Sequence, residues 1–416
     1  MIDRRMLMNI DWMLLLMVGG IVTWGLVTVY SATHGRLETH LDDFYLKQIY
    51  WFGAGLVLML FVTLVDYQLL SRAAYPLLAL GILLLVAVFL VGRVASGARR
   101  WLVFGPLTFQ PSELVKVFLV LSFARYFTET RREGGLRFRD LLIPLVMVVV
   151  PFALIAKQPD LGTALVLFFV ASALIFASGF PLKILMLITG GGVIAMPIGW
   201  TFLKDYQKVR VITLLNPDFD PLGAGYHSWQ SKIAIGSGGF WGKGWLAGTQ
   251  SGLNFLPEKH TDFIFAVFAE EWGFVGTTAL IVLYLILVLR GINIAYVSKD
   301  RLGSLIATGV VAMLSVYILF NIGMTVGLTP VVGLPLPLFS YGGSSCWRRW
   351  SLSVSCSTSA CAAFSIAESM ATYLNPPLGG ETSAGELGTS GRLSRGWYHG
   401  RSPGFRRHRV IVECST

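Results

Sequence analysis

Charged residues are scarce in this sequence. Asp, Glu, Lys and Arg make up only 13% of its 416 residues, whereas hydrophobic residues make up 54%. Ordinary soluble domains carry about 25% charged residues, so the shortage excludes that class and indicates an integral membrane protein. Cysteine is also rare: all 4 cysteines follow Ser345 and lack the spacing of metal ligands, so we assign them no function.

Long apolar runs predict the membrane spans. A helix that crosses the hydrocarbon core needs roughly 20 mostly apolar residues. The first span follows a basic start without a small-residue cleavage site, so we interpret it as an anchor rather than a removed signal peptide. The predicted fold class is an all-α polytopic membrane protein, whose nine clear spans are 11–31, 48–65, 75–93, 111–126, 140–156, 161–180, 183–203, 263–289 and 304–327.

The net charge of +10 would fit a nucleic-acid partner, but its distribution argues against one. Basic residues cluster at the N-terminus (Arg4 and Arg5), at 131–139 and at 290–301. Counted from a cytoplasmic N-terminus, all three clusters fall on the cytoplasmic side, as the positive-inside rule expects. We therefore predict a cytoplasmic N-terminus, an outward-facing interval 204–262 and no nucleic-acid partner.

The interval 204–262 is the longest polar stretch before position 345, and it ends where a hydrophobic helix begins. Asp262 lies at that junction, where the helix dipole favours an ionised acid. We predict that Asp262 is a catalytic base, which must be ionised to accept a proton; the alternative is an ordinary first-turn helix acid. Lys208 and Arg210, near the start of the interval, are candidates for binding an anionic substrate group.

Ionisable residues also occur in or beside other spans. Glu113 and Lys116 share a helix face and either form a structural ion pair or wall a substrate cavity, in which Lys116 would meet an anion. Asp160 either caps the helix that follows it or contributes to the site. Glu270 and Glu271 either pair with a basic residue of a neighbouring helix or belong to the working cavity.

Three stretches do not fit a spanning helix. Prolines and glycines interrupt 328–345, which predicts a re-entrant or lid segment on the outer side. Glycines and aromatic residues between Gly236 and Gly252 either pack against lipid headgroups or line a channel for a lipid-linked sugar. After Ser345 the sequence is rich in Ser, Gly and Arg and lacks Lys, so the tail 346–416 is either a disordered extension or, as we favour, the product of a reading-frame error.

Several short motifs occur together and in one order across residues 10–345. The motifs are Gly97–Trp101, Gln110–Lys116, Gln158–Thr163, Asn216–Pro217, Asp220–His227, Pro257–Phe263, Ala269–Glu271 and Pro330–Ser345. In this combination the sequence resembles the SEDS family (shape, elongation, division and sporulation). The stretches 205–210 and 230–238 resemble its elongation branch rather than its division branch.

The resemblance implies about ten transmembrane helices, a large extracytoplasmic loop before the eighth, and peptidoglycan glycosyltransferase activity on lipid II at the cytoplasmic (inner) membrane. It also implies a class B penicillin-binding protein as transpeptidase partner, together with other elongation-complex membrane proteins. The matched motifs add His260, Ser340 and Ser344 to the substrate-binding candidates. The sequence departs from the family after Ser345, where the family continues into a hydrophobic tenth helix that this chain lacks.

The chemistry that the resemblance implies needs few groups. Lipid II carries its sugar on an α-linked pyrophosphate and the polymer linkage is β-1,4, so each addition inverts the anomeric centre and needs one base, here Asp262. The leaving pyrophosphate needs cations or a divalent metal ion, Mg²⁺ or Mn²⁺, but no organic cofactor. The alternatives are a lipid II flippase, although the apolar pattern lacks paired inverted repeats, and a non-catalytic scaffold for a transpeptidase. The candidate cations for the pyrophosphate are Lys116, Lys208, Arg210 and Arg99 or Arg100.

Overall fold

The structure is a computed structural model of the chain. The residues that it describes are 11–34, 44–63, 67–95, 98–104, 107–130, 136–180, 205–216, 219–220, 223–253, 255–256 and 260–341, with five isolated positions between 183 and 201. Most of the predicted span 183–203, the residue Ser344 and the tail 346–416 lie outside the described residues.

Helices make up most of the described chain, and a helix lies at each predicted span outside 183–203, which confirms the mainly helical membrane fold. Within the described residues, five segments are long and apolar enough to cross a membrane: Trp12–Thr33, Ala74–Val91, Phe138–Lys157, Ile264–Val297 and Arg301–Val326. The helices are α1 (Trp12–Thr33), α2 (Phe44–Thr63), α3 (Tyr67–Arg72), α4 (Ala74–Val91), α5 (Pro111–Glu129), α6 (Leu142–Lys157), α7 (Leu161–Ala177), α8 (Asp205–Leu215), α9 (Ala224–Ser237), α10 (Thr249–Gly252), α11 (Ile264–Val297) and α12 (Arg301–Val326).

Local sequence signals set several helix starts. α5 begins with Pro111. Proline has no backbone N–H, and this costs nothing at the first position of a helix, because an N–H there has no partner within the helix. The carboxylate of Asp160 caps α7 and accepts a hydrogen bond from the N–H of Thr163 at 3.3 Å. Asp300 caps α12 in the same way, through the N–H of Gly303 at 3.1 Å. These side chains satisfy backbone donors that the first turn of a helix leaves without a partner.

A small antiparallel sheet connects α4 to α5. Its three strands lie in the order β1-β2-β3, and Leu102 pairs with Phe109 across the last two. Strands this short show too little alternation to be recognised in the sequence. The strands are β1 (Arg93–Ala95), β2 (Ala98–Phe104) and β3 (Leu107–Phe109).

The longest helix, α11, is broken at Gly273. This residue has φ 64° and ψ −161°, a backbone conformation that is essentially confined to glycine. A side chain here would also collide with the backbone of Trp241 and Gly242. The predicted span 263–289 therefore consists of two half-helices, and the second continues to Val297, farther than predicted.

A glycine-rich segment, residues 238–244, completes the broken helix. After the break, the N–H of Phe274 donates to the carbonyl oxygen of Gly239 at 2.9 Å. Before the break, the carbonyl oxygen of Glu270 accepts from the N–H of Lys243 at 3.0 Å. The N–H groups that directly follow those of Phe274 and Lys243 donate in the same way to the carbonyls that directly follow those of Gly239 and Glu270. The segment thus supplies partners for backbone groups that the break exposes, as irregular backbone inside a membrane bundle requires.

The interval 204–262, predicted as a large loop, contains the three helices α8, α9 and α10. Two turns lie between α8 and α9: the N–H of Phe219 donates to the carbonyl of Asn216 at 3.1 Å, and that of Gly223 to the carbonyl of Asp220 at 3.4 Å. α9 packs against both α11 and α12. The interval is therefore a folded part of the bundle, and its helices position the cavity described below.

Candidate active site

Asp262 lies two residues before the start of α11 and is half-buried. Its backbone carbonyl accepts a hydrogen bond from the side-chain Nδ2 of Asn321, on α12, at 2.9 Å. Its carboxylate lies against Gly333, where an added Cβ would be only 3.2 Å from Oδ2 of Asp262. The acid is therefore held between the start of α11 and the 328–341 segment.

The 328–341 segment lies alongside the helices rather than beyond their ends. Tyr284, in the second half of α11, donates its hydroxyl to the carbonyl of Pro337 at 2.5 Å. Phe339 packs against Gly25 of α1, where a Cβ would be 2.7 Å from the carbonyl oxygen of Phe339. Gly25 lies eight residues before the end of α1, which is about 12 Å along the helix axis. The backbone of the segment therefore extends into the bundle and is supported there by protein.

Of two other predicted site residues, one contacts this segment and the other belongs to it. The carbonyl of His260 accepts a hydrogen bond from the N–H of Tyr341 at 3.0 Å, and the two rings lie 6.0 Å apart. Ser340 is buried, and its Oγ accepts a hydrogen bond from the N–H of Leu336 at 2.7 Å. Its hydroxyl thus stabilises a turn of the segment. The third candidate from this motif, Ser344, is outside the described residues.

A cavity of about 560 Å³ lies next to the acid. The ring of His227, on its wall, is 6.0 Å from the ring of Phe263, which directly follows Asp262. Val331, also on the wall, is two residues from Gly333. Asp262 is not itself a lining residue, and the neighbouring residues Phe263 and Gly333 connect it to the cavity wall. The lining residues are Val209, Arg210, Phe219, Asp220, Gly223, His227 and Val331.

The cavity wall combines charge with apolar surface. Arg210, predicted as a substrate-binding residue, lines it from α8, whereas Lys208 of the same helix is not among the lining residues. Asp220 and His227 lie within a recognised motif but were not singled out from the sequence. The guanidinium is suited to an anionic group of a ligand, whereas the carboxylate is suited to a hydroxyl group or a cation.

Lys116 and Glu113 form the ion pair that was one of the two alternatives for them. The ammonium group of Lys116 donates to Oε1 of Glu113 at 2.8 Å, and its side chain is only 1% exposed. It also donates to the hydroxyl of Tyr317 on α12. Tyr317 is four residues before Asn321, so both lie on one face of α12. The pair therefore packs against the helix face that holds the backbone of Asp262.

Arg99 and Arg100 contact protein groups. The guanidinium of Arg100 donates to the carbonyl of Gln158 at 3.3 Å and to the next carbonyl, and it lies 3.8 Å from Oδ1 of Asp160. Arg99 donates to a backbone carbonyl of α4 at 3.3 Å. Asp160 also accepts from the amide of Gln110 at 3.1 Å. These contacts connect β2 to the starts of α5 and α7.

The start of α7 touches the same 328–341 segment from another side. An added Cβ at Gly162, in the first turn of α7, would lie 2.8 Å from the carbonyl oxygen of Val332. Val332 precedes Gly333, which contacts Asp262. The start of α7, one face of α12 and Asp262 thus all contact the 328–341 segment.

Sequence reasoning did not identify Asn321, Gly333, Asp220 or His227 as site residues. A signal existed for Asn321, an amide in an otherwise apolar span, because such residues mark interhelical hydrogen bonds. No local signal exists for Gly333, since its importance depends on a carboxylate that is 71 residues away in the chain.

Comparison with known proteins shows the family to which this chain belongs. The family model for cell cycle proteins of the FtsW, RodA and SpoVE type matches residues 6–354. Peptidoglycan glycosyltransferase MrdB of Escherichia coli (strain K12) is 42% identical over 341 residues, which cover 81% of this chain and 90% of the relative. Peptidoglycan glycosyltransferase RodA of Treponema pallidum (strain Nichols) is 34% identical over an alignment of 411 positions, covering 82% of this chain and 94% of the relative.

Solved structures of similar proteins support the same family. A chain from a peptidoglycan synthase complex, described as coordinating polymerization and crosslinking, superposes with a TM-score of 0.72 and 32% identity, covering 87% of this chain and 97% of that one. The rod shape determining protein RodA of Thermus thermophilus superposes with a TM-score of 0.63 and 30% identity, covering 87% and 96%.

The fold and the site define a multi-pass helical membrane protein with an acid beside a charged cavity. The chain belongs to the FtsW/RodA/SpoVE family, which is the SEDS family that its motifs resemble. Its relatives make it a RodA-type member.

Proposed function

We propose that this chain is a peptidoglycan glycosyltransferase that polymerises lipid II into glycan strands during cell elongation and rod-shape maintenance. The observation that carries the proposal is the position of Asp262, half-buried beside a cavity of about 560 Å³ that Arg210 lines. The names of its relatives, peptidoglycan glycosyltransferases MrdB and RodA, support the same activity.

The proposed reaction is one inverting displacement. Asp262 takes the proton from the acceptor sugar hydroxyl, whose oxygen forms the new bond to the anomeric carbon of the donor. The bond from that carbon to the pyrophosphate oxygen breaks, and its electron pair leaves with undecaprenyl pyrophosphate. Arg210 binds the diphosphate from the cavity wall and stabilises the charge that develops on it.

The residues present fit a divalent cation that is bound mainly through the substrate. Among the described residues no group of three or more His, Cys, Asp and Glu side chains is arranged to hold a metal ion. Mg²⁺ is commonly bound by one or two carboxylates together with substrate phosphates, and Asp220 supplies a carboxylate on the cavity wall. Such an ion, when bound, would neutralise charge on the leaving diphosphate.

The proposed setting is the bacterial inner membrane, with the N-terminus in the cytoplasm and the site facing outward. The basic clusters at 131–139 and 290–301 support this orientation under the positive-inside rule. A class B penicillin-binding protein is the proposed transpeptidase partner, with other elongation-complex membrane proteins. The similar chain that belongs to a peptidoglycan synthase complex supports this assignment.

The test is polymerisation of lipid II by purified full-length protein in detergent with a divalent cation. We expect moenomycin-insensitive glycan strands, and we expect Asp262→Ala to abolish them at unchanged expression. Asp205→Asn, at the exposed start of α8, is the matched control and should keep the activity. Strand formation by Asp262→Ala would refute the assignment of Asp262. Wild-type protein that moves lipid II across vesicles, or supports a transpeptidase, without forming glycosidic bonds would favour the flippase or the scaffold.

A further inference from the structure

We infer that Asn321 is a positioning residue for Asp262, an inference that rests on the proposed function. Asn321 lies within α12 and is completely buried. A buried amide costs free energy unless its polar atoms are hydrogen-bonded, so its partners identify what it does there. Those partners are two backbone carbonyls, one on each side of the proposed site.

The two bonds define the orientation of the amide. Nδ2 of Asn321 donates to the carbonyl of Asp262 at 2.9 Å and to the carbonyl of Leu334 at 2.7 Å. Carbonyl oxygens only accept hydrogen bonds, so the amide group that faces them must be the NH₂, and both of its hydrogens are used. Within the described residues, Oδ1 of Asn321 is buried without a hydrogen-bond partner. The donor end is therefore the functional part of this side chain.

The bonded carbonyls belong to the two backbones that face each other across the carboxylate. One is the backbone of Asp262 itself. The other follows Gly333, whose added Cβ would lie 3.2 Å from Oδ2 of Asp262. The amide of Asn321 thus fixes the distance between the backbone of Asp262 and the 328–341 segment. Asn321 is completely buried, so it acts through the backbone of the acid and does not touch the ligand.

This geometry predicts an effect on turnover rather than on substrate binding. A displacement of about 1 Å at a reacting group lowers a rate by about 100-fold. Asn321→Asp keeps the shape but places an oxygen against two carbonyls, and Asn321→Leu keeps a similar volume with no donor and no charge. For both variants we expect kcat for lipid II polymerisation to fall by about 100-fold with KM within about 2-fold of wild type. Asn321→Gln retains the NH₂ and should recover part of kcat.

The control is Thr325→Val on the same helix. Thr325 is also completely buried, and its hydroxyl donates to the carbonyl of Ile322 at 2.8 Å, within α12. Its loss removes a buried hydrogen bond from α12 without touching Asp262, so kcat should stay near wild type.

The measurements are kcat and KM on full-length protein in detergent, binding of fluorescent lipid II, and thermal unfolding. A fall in kcat for Asn321→Leu with binding retained, and with no such fall for Thr325→Val, supports the inference. Unchanged kcat in Asn321→Leu, a proportional rise in KM, or equal losses in Thr325→Val would overturn it. If wild-type protein polymerises lipid II and Asp262→Ala is inactive in the same assay, such a result leaves the proposed function standing. Polymerisation by Asp262→Ala would remove the role of Asp262 and this inference together, and a wild-type protein without polymerisation would remove the proposed function.

Discussion

Lys243 and Glu270 form an ion pair with an N–O distance of 2.7 Å, and this pair joins the glycine-rich segment to the break in α11. The side chain of Glu270 is 0% exposed. Its Oε1 also accepts from the backbone N–H groups of Thr249 and Gln250, at 2.7 and 3.0 Å, in the first turn of α10. A carboxylate in the interior is thus compensated by a cation and by the dipole of a short helix turn.

The ion pair predicts a pattern of stability in variants. Lys243→Met leaves the Glu270 carboxylate buried without its cation and should lower the free energy of unfolding by about 3–5 kcal/mol. The double variant Lys243→Met/Glu270→Gln removes both charges and should recover most of that loss. Thermal unfolding of the purified protein in detergent measures both. A double variant as unstable as Lys243→Met would show that the charge pairing is not what stabilises the segment.

The contact between α1 and the 328–341 segment gives a second prediction. At Gly25 an added Cβ would lie 2.7 Å from the carbonyl oxygen of Phe339, so Gly25→Ala must displace that backbone. Because the same segment rests against Asp262, we expect a loss of polymerisation of about 10-fold or more, in line with an overpacking cost of about 1–3 kcal/mol. Gly19→Ala on the same helix is the control, since no atom lies within 4 Å of its added Cβ. Equal activities of the two variants in the lipid II assay would contradict this.

Much of the fold was predictable because the signals are local or periodic. Apolar runs mark the described spans, since the length of a spanning helix is set by the bilayer. Pro111 and Asp160 mark the starts of α5 and α7, because proline and a short acid fit the first turn of a helix. Asp262 could be selected as a candidate because it stands at the change from polar to apolar sequence.

The parts that were missed depend on contacts between distant residues. One of the two alternatives for Glu270 was an ion pair with a basic residue of a neighbouring helix, but its partner Lys243 lies in the glycine-rich segment, which was predicted to pack against headgroups or to line a channel. The break at Gly273 is invisible in an apolar pattern that continues through it, because its backbone partners come from 238–244. The sequence marks Asn321 as an amide in an apolar span, but it does not reveal that the partner of this amide is the carbonyl of Asp262.

The Glu113–Lys116 pair supports a third prediction, which separates its two alternatives. The side chain of Lys116 is 1% exposed, and the contacts described for it are to Glu113 and Tyr317. We therefore expect Lys116→Met to lower the free energy of unfolding by about 3–5 kcal/mol, and Glu113→Gln/Lys116→Met to restore both stability and polymerisation. The readouts are thermal unfolding and lipid II turnover. A stable double variant whose KM for lipid II stays high would instead assign Lys116 to the pyrophosphate.

Arg210 and Lys208 lie two residues apart on α8, and only Arg210 is among the lining residues of the cavity. A charge-assisted hydrogen bond contributes about 1.5–3 kcal/mol, so Arg210→Gln should weaken lipid II binding by about 10- to 100-fold. Lys208→Gln removes the same charge from the same helix and should change binding by less than about 3-fold, since Lys208 does not line the cavity and a solvent-screened charge contributes little. Titration of fluorescent lipid II against each purified variant measures this difference. Equal losses would mean that the helix acts through its overall charge, and an effect of Lys208→Gln alone would place the diphosphate outside this cavity.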